Sequence, residues 1–184
     1  MVALNEAYVK FEILYSNINN RAILFQETAR RVKGVLGEFD YASYSENSAV
    51  ESPELMLFQS IRSLKGIVTS STRLDDWESI LYLMCWLGTF GINPTQRREY
   101  TVEYATRKKP RVSIMDWIQR SAIQIAQHKR LHLLAVRNLR TNIVSRMREN
   151  SPLRQRALDL YRLLFLHPGC YGVTLVTNEE LAEM

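Results

Sequence analysis

Between Leu74 and Leu87 the alternation of polar and apolar positions changes character. Asp75, Asp76 and Glu78 open a run whose apolar residues then fall on every side of a 3.6-residue repeat. A helix that is hydrophobic all round belongs inside a domain, with other elements against each face. Ser71 or Thr72 is placed to cap it, and the three acids lie on the first turn, where the helix dipole favours negative charge. Its acidic start and modest length do not suit a bilayer span. The pattern predicts a buried central helix.

The flanking stretches are weaker. Residues 4–14 set Leu4, Tyr8, Phe11, Ile13 and Leu14 near one helical face, and the turn formers from Tyr15 to Asn20 end that helix. Two apolar runs, Ala22–Phe25 and Arg31–Phe39, predict short strands joined by a hairpin-like loop over Gln26–Arg30. After the long helix, Gly88 and Gly91 weaken its last turn and Asn93-Pro94 breaks the chain. Residues 95–111 read as an exposed loop. Ser113 then caps a helix with Ile114, Trp117, Ile118, Ala122, Ile125 and Ala126 as its stripe. Leu131–Met147 gives another, with Leu133, Val136, Leu139, Ile143 and Met147 inward and Arg137, Arg140 and Arg148 outward. Ser151-Pro152 starts a last helix whose apolar face is Leu158, Tyr161, Leu164 and Phe165. The tail from Tyr171 reads as a short strand and a frayed acidic turn. The expected fold is mainly α: one domain over residues 1–184, a helical bundle around a buried central helix, with a small β-hairpin near the N-terminus.

Composition adds little beyond class. Apolar residues make up 46% and charged residues 23% of 184, ordinary for a globular domain with a real core. No stretch has the pattern of a signal peptide or a membrane span. Cys85 falls in the apolar helix and Cys170 in a late loop, so no disulfide framework is indicated and an intracellular protein, cytoplasmic or nuclear, is expected. Charge is uneven: Arg97 to Arg162 holds 16 Lys/Arg against 5 Asp/Glu. Such a stretch is either the solvated outer face of packed helices or a phosphate-binding stripe for nucleic acid. The first reading is favoured, because aromatic interleaving is poor and no nucleic-acid motif appears.

The wording of the long helix is more specific than its period. Asp75-Asp76-x-Glu78-Ser79-x-x-Tyr82-x-x-x-Trp86 resembles the central helix of the C-terminal lobe in fungal-type protein kinases, and the related helix of casein-kinase-type enzymes. Tyr15–Leu24 falls without a gap on a catalytic-loop segment of the form H-R/G-D-I-S-x-x-N-I-L. Val32–Ala42 falls on the following V-K-G-V-L-I-D-F-D-x-A, and Leu57–Gly66 looks like F-M-S-I-E-x-L-x-G. Trp117 and Ala122–Lys129 resemble a late W…A-A-x-x-K signature. The resemblance covers roughly residues 7–134, with 135–184 as a helical C-terminal part, and implies a kinase-like C-lobe (α+β by family). It also implies that an Asp at the position of Asp76 hydrogen-bonds the catalytic-loop backbone, with Trp77 and Glu78 as further structural anchors.

Against that pattern the chemistry is missing. Kinases of this kind use ATP and magnesium, and phosphoryl transfer needs metals on the phosphates, a carboxylate at the nucleophile and a lysine clamp. The catalytic Asp position holds Asn17, an amide that cannot take a proton from a hydroxyl at neutral pH. The two residues before it are Tyr15 and Ser16. One metal-ligand position is Ala22, and the other is Glu38, one methylene longer than the Asp it replaces. Arg62 stands where the resemblance implies a Glu. A general base contributes roughly 10²–10⁴ in rate, so joint loss of the base and a metal ligand implies negligible transfer. The chain starts shortly before the catalytic-loop position, which leaves no room for a glycine-rich loop or strand lysine. The N-lobe is expected to be absent and no cofactor to be bound. Gly34 and Gly37 lie in a strand pattern and open no phosphate-cradling helix.

The expectation is a catalytically inactive, pseudokinase-like module for protein binding or scaffolding. Its partner, or a second copy, would meet apolar surface near Leu14, Ile23 and Phe25. The alternatives are a Ser/Thr kinase fragment that receives its N-lobe in trans, or a basic helical nucleic-acid-binding protein. His128 and His132 are spaced i, i+4 without a carboxylate beside them and are expected to be surface histidines rather than a metal site. His167 reads as a helix-end residue.

Overall fold

A computed structural model describes residues 2–28, 31–37, 56–66, 72–90, 120–133, 136–147 and 151–165. Six α-helices and a two-stranded antiparallel sheet account for the elements among them, together with one 3-10 turn. We label them in chain order: α1 (Val2–Phe11), β1 (Ile23–Thr28), β2 (Arg31–Leu36), α2 (Ile61–Leu64), α3 (Arg73–Phe90), α4 (Ala122–Leu133), α5 (Val136–Asn142), the 3-10 turn Val144–Arg146, and α6 (Leu153–Phe165). The chain divides into two compact units, 1–83 and 84–184, and the boundary falls within α3.

The long helix is α3, 18 residues and therefore about 27 Å of rod. Buried residues lie on all of its sides, from Asp75 and Asp76 through Leu81, Tyr82 and Cys85 to Phe90, and none of its residues is fully exposed. Its start is held reciprocally. The Asp75 backbone N–H donates to the Thr72 carbonyl, and the Thr72 N–H and hydroxyl both donate to Asp75 Oδ2 at 2.7 Å. That is the returning half of a capping box, with Asp75 at the third helical position.

In the first unit α1 ends at Phe11, earlier than its apolar spacing suggests. Glu12 turns left-handed at φ 54° and donates its N–H to the Tyr8 carbonyl, the geometry that closes many helices. Phe11, expected on the inner face, is 62% exposed as a result. β1 and β2 pair from Ile23↔Leu36 to Thr28↔Arg31. The strands therefore run to Thr28 and Arg31, further than the loop expected over Gln26–Arg30. A Gly37 N–H to Ala22 carbonyl bond extends the ladder by one step. Leu14 is buried rather than exposed, Ile23 is half-buried, and among the described side chains of the hairpin the exposed apolar residues are the cross-strand pair Leu24 and Val35. The side chain of Phe25 lies outside the described residues.

In the second unit the later part of the stripe expected from Ser113 lies on α4, which begins at Ala122, and residues 113–119, with Ile114 and Ile118, lie outside the described residues. Its cap is Ser121: the Gln124 N–H reaches the Ser121 hydroxyl and the Gln124 amide oxygen accepts the Ser121 N–H. The single helix expected over Leu131–Met147 is instead the end of α4, then α5, then the 3-10 turn. Leu133, Leu139, Ile143 and Met147 stay buried through these breaks, while Leu131 is exposed. α6 starts where Ser151-Pro152 place it, and Ala157, Leu158, Tyr161, Leu164 and Phe165 are buried. Tyr161 fixes it across the unit by donating its hydroxyl to the Leu133 carbonyl at 2.5 Å. The loop at 95–111, Trp117, Cys170, His167 and the acidic tail lie outside the described residues.

Candidate functional site

The first two turns of α3 carry three buried carboxylates, which together collect donors from several parts of the chain. Asp75 receives Thr72 and, through Oδ1, the Ser60 hydroxyl at 2.6 Å. Asp76 receives two backbone N–H groups, Tyr15 on Oδ2 and Ser16 on Oδ1, both at 2.9 Å. Glu78 Oε1 receives the Ile61 N–H at 2.9 Å and the Tyr82 hydroxyl at 2.5 Å. Positions i, i+1 and i+3 of one helical turn thus gather the loop at 15–16, the cap of α2 at Ser60–Ile61 and the approach to α3 itself. Bonds from donors to an ionised acceptor are worth roughly 1.5–3 kcal/mol each. Trp77, on the same turn, is only partly buried and shows no comparable bond.

Burial dominates the electrostatics of Asp76. It pushes the carboxyl up to about 6, the two N–H bonds pull the other way, and the neighbouring Asp75 charge adds to the rise.

The loop that Asp76 holds is organised from within by Asn19. Its amide nitrogen donates to the Asn17 carbonyl at 2.8 Å and to Asn17 Oδ1 at 3.2 Å. Its Oδ1 accepts from the Arg21 and Ala22 N–H groups. Asn17 and Asn19 are both buried, and Ala22 is completely so. The side chain of Asn17 is therefore tied into the loop, and the position of Ala22 offers a methyl group sealed from solvent. The Tyr15 hydroxyl donates to the Gly37 carbonyl, which joins the loop to the end of β2. Ser16 sits between these bonds at φ 58°, with its hydroxyl oxygen buried and unpartnered. The structure thus brings Tyr15, Ser16, Asn17, Ala22 and Asp76 together, with Glu78 one turn along α3. Glu38 lies outside the described residues.

Chemically Asn17 and Asn19 present amides, groups that neither accept a proton from a hydroxyl at neutral pH nor carry charge. Among the described residues, no three metal-ligating side chains converge. His132, expected at the surface, is buried: it lies on the inward side of α4 with Ile125, Ala126 and Lys129. Burial lowers its pKa, and neighbouring His128 adds to the effect. No described helix is long and apolar enough to cross a membrane.

Sequence reasoning missed Asn19. The signal was present in Asn17-Ile18-Asn19-Asn20, since asparagine side chains bond nearby backbone in turns. It also missed Ser60, whose hydroxyl both caps α2 by accepting from the Ser63 N–H and donates to Asp75.

Comparison with protein-family models finds no match, and comparisons with curated proteins and with solved structures find none either.

Proposed function

We propose that this chain is a kinase-like C-lobe of the fungal type whose catalytic loop has lost its chemistry, and that it works as a binding or scaffold module inside the cell. One observation carries the reading. The Asp76 carboxylate, on the first turn of a helix buried on all sides, accepts the N–H groups of Tyr15 and Ser16, the bond that the resemblance implies between central helix and catalytic loop. Inactivity follows from the loop residues. Asn17 has no basic oxygen, its amide is engaged by Asn19, and Ala22 cannot ligate a metal. Such a loop is retained for shape.

The anchor is tested by amide hydrogen exchange. Tyr15 and Ser16 should exchange slowly in the native protein and much faster in Asp76→Ala; equal rates would remove the support. Activity is tested separately, by calorimetric titration with magnesium-ATP and a labelled-phosphate transfer assay. Neither heat nor transfer is expected, and magnesium-dependent transfer abolished by Glu38→Ala would overturn the inactive reading.

A further inference from the structure

Within the second unit, α5, the 3-10 turn and the start of α6 enclose an open cavity of about 590 Å³. We propose that it is a docking pocket for an acidic protein segment, one that presents a carboxylate beside an apolar side chain. It stands independently of the kinase-like reading, because its lining falls in residues 140–158, outside the span that carries the resemblance.

The lining sorts into two parts. Val144, Pro152 and Leu158 give an apolar wall, while Arg140 and Arg154 supply the charge. Among the described residues no Asp or Glu lines the cavity. Arg154 is held in place by a bond from Nη2 to the Met147 carbonyl at 2.5 Å, and its Nε is buried without a partner. A guanidinium that is already positioned is suited to a planar, two-oxygen acceptor. Arg140 is exposed and lines the same cavity.

The sequence of this stretch is basic. From Val136 to Arg156 there are six arginines and one acid, Glu149. The cavity opens at the first turn of α6, whose dipole adds positive potential without being the source of the site. The volume suits a side chain and its neighbours. The apolar wall favours a peptide over a nucleic-acid backbone, because a polyanion would bury no greasy group against Val144 and Leu158.

The test uses the full chain and fluorescence anisotropy with a labelled peptide of alternating glutamate and leucine. A peptide with glutamine for each glutamate reports the charge requirement, and a single-stranded DNA oligonucleotide serves as competitor. Saturable binding of the acidic peptide is expected, weakened at least about tenfold in Arg140→Glu, and absent for the glutamine peptide. Arg140 is exposed, so its variant should keep the circular dichroism spectrum of the parent. Arg154→Lys, which keeps the charge and loses the fork, should weaken binding by a similar factor. Binding unchanged in Arg140→Glu, equal binding of the glutamine peptide, displacement by DNA as effective as by unlabelled peptide, or no saturable binding would each overturn the proposal.

Discussion

Ser16 donates its backbone N–H to Asp76 Oδ1 at 2.9 Å while holding φ at 58°, a left-handed conformation that a non-glycine residue adopts at a cost. The carboxylate at the start of α3 and the twist in the loop are one device: the turn aims the Tyr15 and Ser16 N–H groups at the two oxygens of one acid. The cost of the left-handed residue, roughly 1–2 kcal/mol, is borne by a pair of bonds to a charged acceptor.

Two substitutions separate these parts. Ser16→Gly relieves the backbone and removes a buried hydroxyl oxygen that has no partner, so it should stabilise by about 1 kcal/mol. Asp76→Ala strands two backbone donors and should destabilise by about 3 kcal/mol. Urea unfolding reads both as opposite shifts of the midpoint at constant slope. A destabilised Ser16→Gly would show that the hydroxyl, not the backbone, matters at this position.

Acidity gives a second handle on Asp76. Burial pushes its carboxyl from the ordinary 3.8 up to about 6 in the folded chain, so the folded state holds the proton more tightly than the unfolded. The contribution is fully present below about 3.8 and is lost as the pH rises through about 6. Two pH units correspond to about 3 kcal/mol. His132 has the opposite sign: its lowered pKa favours the fold above the ordinary histidine range, and that stability is lost as the pH falls. The difference in unfolding free energy between wild type and Asp76→Asn cancels His132 and every other group common to both. Between pH 4 and pH 7 the wild type should lose a few kcal/mol relative to Asp76→Asn, on the order of the value above. A flat difference would mean that Asp76 keeps an ordinary acidity when folded.

The long helix was readable because an all-round apolar period has few other solutions, and the acids at its start were readable as first-turn residues. Which donors those acids take was not, apart from the loop backbone that the resemblance implies for Asp76, because it depends on segments up to 61 residues away. α4 shows a different limit. Gln127-His128-Lys129-Arg130 reads as a solvated basic patch, yet Lys129 is completely buried and His132 nearly so. The apolar period through Ile125 and Ala126 extends onto these two, and a lysine stem is long enough to lie in a core. Leu139, Ile143 and Met147 kept their inward spacing while the helix carrying them ended at Asn142 and resumed as a 3-10 turn. Periodicity reports which side chains are covered and is nearly blind to where hydrogen bonding changes from one helix type to another.

Cys85 is buried in α3, and burial pushes its thiol up to about 12. Almost no thiolate forms at pH 8, so a disulfide reagent should not modify it in the native protein. In a Cys170→Ser background, Cys85 becomes the single thiol. Labelling should then require opening of the helix and should accelerate steeply with urea. Fast labelling without denaturant would contradict the burial of this face of α3.

Gly88 lies in the last turn of α3, and its missing side chain is used. A Cβ there would come within 2.7 Å of Met147 Sδ and 2.9 Å of its Cγ. Alanine is normally preferred to glycine in a helix by about 1 kcal/mol. Here the gain is opposed by overpacking against a side chain that is 2% exposed, which costs typically 1–3 kcal/mol. Gly88→Ala should therefore destabilise by about 1 kcal/mol, the difference between the two effects. Met147→Ala alone leaves a cavity and should destabilise by about 2–5 kcal/mol. In that background the alanine at position 88 has room, so adding it should stabilise. A double-mutant cycle measured by thermal or urea unfolding should thus give a coupling of about 1 kcal/mol or more, with the sign of a relieved clash. Additive effects would mean that Met147 rotates away at no cost, and that glycine is not required for the close approach of the 3-10 turn to this helix.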